Sequence, residues 1–244
     1  MDRWAILGLL CFAQVTLLGA TQTPQQIYQK SVKLLLADKI KFQVHSLMRS
    51  HEYEQEQSFS IARYADKKRS TTLVCFTYPQ NIKGTAILLK NDYHHSSTLV
   101  YFPSLGRSRL IPKEDEQNEA FGLGISFSEM HNDASHLANL GKVKKDGHTY
   151  YKLVKIDDEQ KTLYFIDTQS MVLKEMQIYK STERIKDIVI QKIALFHGKK
   201  IIIKWFIKDY EKDKVTYYKV DTKSITSSLN KSIFKRSAIS HCRP

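Results

Sequence analysis

Apolar residues recur along this chain with two different periods. Near the start Ile27, Leu34 and Leu35 share one face at a 3.6-residue repeat, behind Thr23-Pro24, a capping residue followed by proline at the first helical position. This predicts one amphipathic helix from about Pro24 to Ala37. Beyond it the period changes to two. Strands are predicted at about 41–50, 56–66, 70–78, 84–91 and 97–102, then at about 107–111, 148–156, 161–167, 171–180, 185–197, 199–210 and 213–222. Short polar turns such as Tyr78-Pro79-Gln80-Asn81 and His197-Gly198-Lys199 separate them. Regular spacing of this kind predicts an antiparallel meander that closes as a barrel or curls as a half-barrel.

Several strands are apolar on both faces, which a simple barrel with water outside would not show. In STLVYFPSLGRSRLIP, Ser97 to Pro112, Leu99 and Tyr101 point one way and Val100 and Phe102 the other. The chain then breaks at Pro103, turns through Gly106 and emerges with Arg107 and Arg109 on one face. Ile201, Ile203, Trp205 and Ile207 share a face, while Lys200, Lys204 and Lys208 on the other are interrupted by Ile202 and Phe206. Part of the second face must therefore be covered by helices. The available covers are the helix at Pro24 to Ala37 and a short helical piece expected around Ser128 to Leu137. The latter closes an insert, Lys113 to Ala138, where the strand pattern lapses and an acidic run, Glu114 to Glu119, reads as a solvated loop.

The first twenty residues have a charge at Arg3, an apolar run from Trp4 to Leu18 and small residues Gly19 and Ala20. They read as a signal peptide cleaved near Ala20, an uncleaved anchor being the alternative. Residues 21–244 then form one exported domain, expected to be a monomer. The net charge of +13 points away from nucleic acid, given export, and toward lipid headgroups or acidic proteins. Its lysines cluster at Lys67-Lys68-Arg69, Lys142 to Lys145, Lys199-Lys200 and Lys235-Arg236, mostly where turns are expected. Two cysteines remain beyond the leader, Cys75 in an apolar strand and Cys242 near the end. They could pair in an oxidising compartment, although a buried thiol and a tail thiol is the simpler reading.

Catalytic and metal patterns are missing. His131 and His136 are five apart, on different faces of a helix, where zinc-binding histidines want four, and no metal or cofactor is expected. Gly122-Leu-Gly124 lacks a third glycine and a strand-to-helix context, and there is no P-loop and no Gly-x-Ser-x-Gly. Nothing assembles a nucleophile, a base and oxyanion donors, so an enzyme is not the reading taken.

Three blocks, Lys83-Gly84-Thr85-Ala86-Ile87-Leu88-Leu89, then Leu99-Val100-Tyr101-Phe102-Pro103-Ser-Leu105-Gly-Arg107-Ser-Arg109-Leu110-Ile111, then Phe121-Gly-x-Gly-Ile-Ser-Phe127-Ser128-Glu129, resemble the outer-membrane lipoprotein-sorting protein family. Ile225 to Phe234 resembles the family's closing strand and its final Asn and Phe. Gly124-Ile125-Ser126 and Glu129-Met130-His131 depart from the family pattern. The resemblance implies a LolA-like periplasmic carrier fold: mainly β, a curled, incompletely closed antiparallel barrel with helices packed as a lid in its concave face. It implies that lipid or lipoprotein acyl chains lie in that concavity, lined by Leu88, Leu99, Tyr101, Leu105, Phe121, Ile125, Phe127, Ile203 and Trp205. Arg107 and Arg109 are expected at the mouth or on a headgroup, and Ile27, Leu34 and Leu35 on the lid helix. An inner-membrane exporter or outer-membrane acceptor is the implied partner. A lipid sensor or accessory subunit of an exporter is the alternative role.

Overall fold

The computed structural model describes residues 22–35, 37–66, 69–92, 95–131, 135–157 and 160–242, with backbone alone at 33–35. The expected leader, 1–20, and the side chains of Leu34 and Leu35 lie outside the described residues. Helix α1 (Pro24–Leu35) opens the fold. Thr23 and Gln26 cap it reciprocally: the Gln26 N–H donates to Thr23 Oγ1 at 3.2 Å and the Thr23 N–H to Gln26 Oε1 at 2.9 Å.

Among the described residues thirteen strands follow. They are β1 (Lys39–Arg49), β2 (Glu54–Ala65), β3 (Arg69–Tyr78), β4 (Ala86–Asp92), β5 (Ser96–Phe102), β6 (Arg107–Leu110) and β7 (Leu137–Lys145). The rest are β8 (His148–Asp157), β9 (Gln160–Asp167), β10 (Leu173–Lys180), β11 (Glu183–Phe196), β12 (Lys199–Asp209) and β13 (Lys214–Thr226). The sequence pattern omits one of them, β7, and expects instead a helical piece to Leu137 and a basic turn at Lys142 to Lys145. Among the described residues of 128–137 there are only turns before the strand begins. Strand β7 is an edge strand exposed along most of its length, so no apolar alternation marks it.

All thirteen strands form one antiparallel sheet in the order β6-β5-β4-β3-β2-β1-β13-β12-β11-β10-β9-β8-β7. Its two edges do not pair, so the sheet is open. Sequence neighbours are sheet neighbours except at the centre, where β1 meets β13, and across the gap between the edges. The connection from β6 to β7 must therefore cross from one edge to the other, and it does so over one face. That path shows how far the sheet curls. Glu129 of this connection binds Lys186 on β11, while His131 binds Thr98 on β5. Those strands are seven steps apart in the order, roughly 33 Å in a flat sheet at ~4.8 Å per step. Two residues of chain span at most about 7 Å. Only a strongly curled sheet brings both walls to one short segment, and the face bearing the connection is the concave one.

Cross-strand partners share a face, so the register assigns every side chain. Val44, Phe59, Phe76, Ile87 and Val100 point inward with Ile207, Tyr218 and Val220, and together with Ala120, Leu123 and Phe127 of the connection they form the main core. A second inner cluster joins Ile27 and Tyr28 of α1 to Leu153, Tyr164, Ile166 and Ile190. The outer face of β2 to β5 is covered too. Ala62, Leu73, Cys75, Ala86, Leu88 and Leu99 pack beneath Phe234 and Ile239, on two 3₁₀ turns at the end of the chain. Cys75 and Cys242 are joined as a disulfide with Cα atoms 5.8 Å apart. This corrects the simpler expectation of two separate thiols: the tail is folded back onto the strand that carries Cys75.

Candidate functional site: a cleft between two plugs

Two segments fill the hollow of the curled sheet. The first is residues 117–131, an irregular plug whose backbone is forced into unusual shapes. Phe121 (φ 49°), Gly122 (φ 77°) and Gly124 (φ 64°) are all left-handed. The left-handed φ at Gly122 and Gly124, which side chains rarely adopt, is what favours glycine at both; a Cβ on Gly122 would lie 3.2 Å from the Gln57 amide, and one on Gly124 would make ordinary contact with Ile207 and Thr216 at 3.4 Å. Phe121 tolerates the strain, a cost of ~1–3 kcal/mol, because its ring sits 5.6 Å from Phe76, 6.0 Å from Phe102 and 6.3 Å from Phe127.

Polar anchors set the plug's position. Gln57 Nε2 donates to the Phe121 carbonyl at 2.8 Å, and the Tyr218 hydroxyl donates to the Leu123 carbonyl. Glu119 accepts from Lys214 at 2.7 and 2.8 Å, from Lys212, and from the Gly124 N–H. Burial alone would raise the pKa of Glu119, but these bonds overcome it and hold the carboxyl at about 2. The acidic run is thus not wholly a solvated loop. Glu129 accepts from Lys186 at 2.9 and 2.7 Å and from the Ser126 N–H at 2.8 Å, and the Glu129 and Lys186 side chains are both nearly buried. His131 lies between Asn91 Oδ1, 2.6 Å from Nδ1, and the Thr98 hydroxyl, 2.9 Å from Nε2. With Oδ1 as acceptor, Nδ1 carries the proton and Nε2 accepts from Thr98, a neutral ring; burial lowers its pKa against the opposing pull of Glu116.

The second plug is α1, whose Tyr28 ring meets the Tyr164 ring edge-on at 5.0 Å. The two plugs leave a gap between them. A cleft of about 730 Å³ opens there, within the range of small-ligand cavities. Tyr28 and Val32 of α1, Ile125 of the plug, and Ile188, Trp205 and Ile207 of the sheet line its apolar part, while Lys155, Asp157 and Lys180 stand at a polar part. Trp205 is stacked on Tyr218 at 4.7 Å, their planes 4° apart.

The residues singled out from sequence divide into five groups. Ile125 and Trp205 line the cleft. Phe121, Phe127 and Ile203 belong to the packed core behind it, and Ile27 is buried in the seat of α1, where Tyr28 and Val32 face the space instead. Leu88, Leu99 and Tyr101 are on the opposite face, under residues 231–241; the alternation holds in β4 and β5, but the face turned to the hollow is the one that carries Ile87 and Val100. Leu105 is exposed on the turn after β5. Arg107 and Arg109 pair in register with Phe102 and Val100, so they rise on the inner side of edge strand β6, but neither lines the cleft. Arg109 meets Asp115 at 3.2 Å in an exposed pair and Arg107 is exposed. Sequence reasoning missed the cleft residues of β9 to β11, such as Met176 and Ile178. Their signal was present in the alternation of Met176 and Ile178 with Gln177 and Tyr179, but the blocks that resemble a family lie in the other half.

Solved structures share this architecture. A DUF1329 family protein from Desulfovibrio piger superposes with a TM-score of 0.79 at 14% identity over 88% of this chain and 97% of its own. A protein domain assigned to outer membrane lipoprotein sorting, from Vibrio parahaemolyticus, gives 0.79 at 13% over 88% and 97%. A LolA superfamily protein from Nitrosomonas europaea gives 0.71 at 17% over 89% and 99%. The open, curled sheet with a filled hollow is therefore the LolA-like fold. By sequence, the chain belongs to the family described as "-like: Uncharacterized protein", whose pattern matches residues 68–241. No curated protein matches the chain.

Proposed function

We propose that this chain is an exported, non-enzymatic carrier that holds an acyl chain of a lipid or lipoprotein in the cleft between α1 and the plug. The observation that carries the reading is that cleft: an apolar space kept open between two self-derived plugs in the hollow of a curled sheet. Residues 1–20 serve as the signal peptide, residues 21–244 as the single working domain, and the periplasm as its compartment. Among the described residues no helix is long and apolar enough to cross a membrane. The fold's solved relatives include a domain named for outer membrane lipoprotein sorting and a LolA superfamily protein, which supports a donor or acceptor at either membrane as the partner.

Energetics explain why the plugs matter. Burying an acyl chain of ~16 carbons contributes on the order of 12 kcal/mol at about 0.8 kcal/mol per methylene. A cavity offering all of that would not release its cargo. A chain longer than the resident cleft must displace part of α1 or of residues 117–131, and the lost contacts of Ile125, Glu129 and His131 offset the gain. Net affinity is then moderate, as carriage requires.

Trp205 provides the test. The chain has two tryptophans, and the other, Trp4, lies in the expected leader. Lipids with brominated acyl chains should quench Trp205 emission, and lipid recovered with the purified protein should appear by mass spectrometry. Vesicle-to-vesicle transfer of a fluorescent lipid should accelerate with the protein present. Quenching without accelerated transfer would assign a sensor or accessory role; neither quenching nor recovered lipid would end the lipid reading.

A further inference from the structure

The outer face of β11, β12, β13 and β1 is solvent-exposed, and its charge is arranged against the interest of stability. Lys192 stands opposite Lys204, Lys204 opposite Lys219, and Lys219 opposite His45. Directly opposed residues share a face about 5 Å apart; Lys204, Lys219 and His45 are paired in regular register, and Lys192 meets Lys204 at a bulge in β11, so three lysines and a histidine form one basic row across four strands. All four residues are exposed. Among the described residues, none of the three lysines has a carboxylate within ion-pair distance. Like charges in direct opposition destabilise a sheet, and a stability requirement does not account for the row.

The adjoining row is of another kind. Val189 stands opposite Phe206, Phe206 opposite Tyr217, and Tyr217 opposite Leu47. The rings of Phe206 and Tyr217 are 6.0 Å apart, and Tyr217 is 41% exposed. A line of long cationic side chains beside a line of half-exposed aromatic and aliphatic ones can meet phosphates and the headgroup layer together. Ammonium groups extend to the charge while the rings lie at the interface. The net charge of +13 adds long-range attraction to an anionic surface.

We propose that this outer face is a docking surface for an anionic phospholipid bilayer, with Lys192, Lys204 and Lys219 on the headgroup phosphates and Phe206 and Tyr217 at the interface. It is separate from the cleft and does not depend on what the cleft holds. A docked orientation of this kind leaves the concave side, with its plugs, facing away from the contact.

Co-sedimentation with vesicles tests the assignment, comparing phosphatidylcholine alone with phosphatidylcholine containing phosphatidylglycerol. The triple variant Lys192→Gln, Lys204→Gln, Lys219→Gln is set against Lys90→Gln, Lys144→Gln, Lys235→Gln, which removes the same charge from exposed positions elsewhere. The row variant should lose at least about tenfold in affinity for the anionic vesicles, and the control less than about threefold. Equal losses would reduce the effect to net charge and overturn the proposal. No preference of the unaltered protein for anionic vesicles would also overturn it, leaving the row to an acidic protein partner. Independently, Lys204→Gln, flanked by lysine on both sides, should raise the melting temperature; a lowered one would refute the premise of strained charge.

Discussion

The two halves of the sheet are built to different rules. In β2 to β5 both faces are dry: the plug fills the inner side and the chain's last turns, joined through Cys75 and Cys242, cover the outer one. In β8 to β13 α1 and residues 117–131 share the inner side without filling it, so that a cleft remains between them, and much of the outer side is wet and basic. The first half is covered on both sides. The second leaves the cleft inside and an exposed basic face outside. A strand that is apolar on both faces therefore marks the filled half of this molecule, not the half with open space.

The largest effect should come from releasing the tail. Cys242→Ser opens a loop closed over a sequence separation of 167 residues and should cost about 3 kcal/mol in denaturant unfolding. Exchange protection should fall mainly in β3 and β4, because the tail covers those strands; equal loss across β8 to β10 would mean that the halves are not distinct. Next is the inner ion pair. Lys186→Met leaves Glu129 nearly buried without its cation and should cost about 2–3 kcal/mol. It should also speed lipid uptake followed through Trp205, since it loosens the plug beside the cleft.

Acidity should act on the same segment with two different onsets. His131 has a folded pKa below its ordinary 6.5, so its contribution is complete above that value and is lost as pH falls through the depressed one. As pH falls below 6.5 the plug should loosen, and His131→Gln should flatten that slope in urea titrations. Glu119, held at about 2 against an ordinary 4.5, contributes fully above 4.5 and loses its part only as pH falls toward 2. The smallest effect is expected at the opposite edge. Arg109→Gln removes an exposed pair with Asp115 and should change stability by less than ~0.5 kcal/mol, with lipid uptake unaltered. A marked loss of uptake would bring the arginines back to the mouth of the site.

Much of this architecture was legible in the chain. Ile27 behind Thr23-Pro24 marked α1, and the period-two stretches marked twelve of the thirteen strands. The doubly apolar runs at 70–78, 84–91 and 97–102 showed that both faces of that region must be covered. Strand β7 left no trace, because an exposed edge strand such as Leu137–Lys145 has no buried face to impose alternation. The plug was equally opaque. Its order comes from left-handed turns at Phe121, Gly122 and Gly124 and from partners far along the chain, Gln57, Lys186, Lys214 and Tyr218, none of which a local pattern can announce.

Period and composition by themselves determined the element types, the antiparallel sheet and the need for cover on two faces. Those follow from local geometry: a strand alternates every second residue whatever lies beside it. Which face was concave, and so whether Leu99 or Val100 looked into the hollow, was decided by the fold. Alternation has a period but no sign, and the sign is set by long-range register, by the curl that lets residues 117–131 touch both walls, and by the tail folded back to Cys75. The place of the cleft was decided in the same way, by how two plugs of limited volume share one hollow.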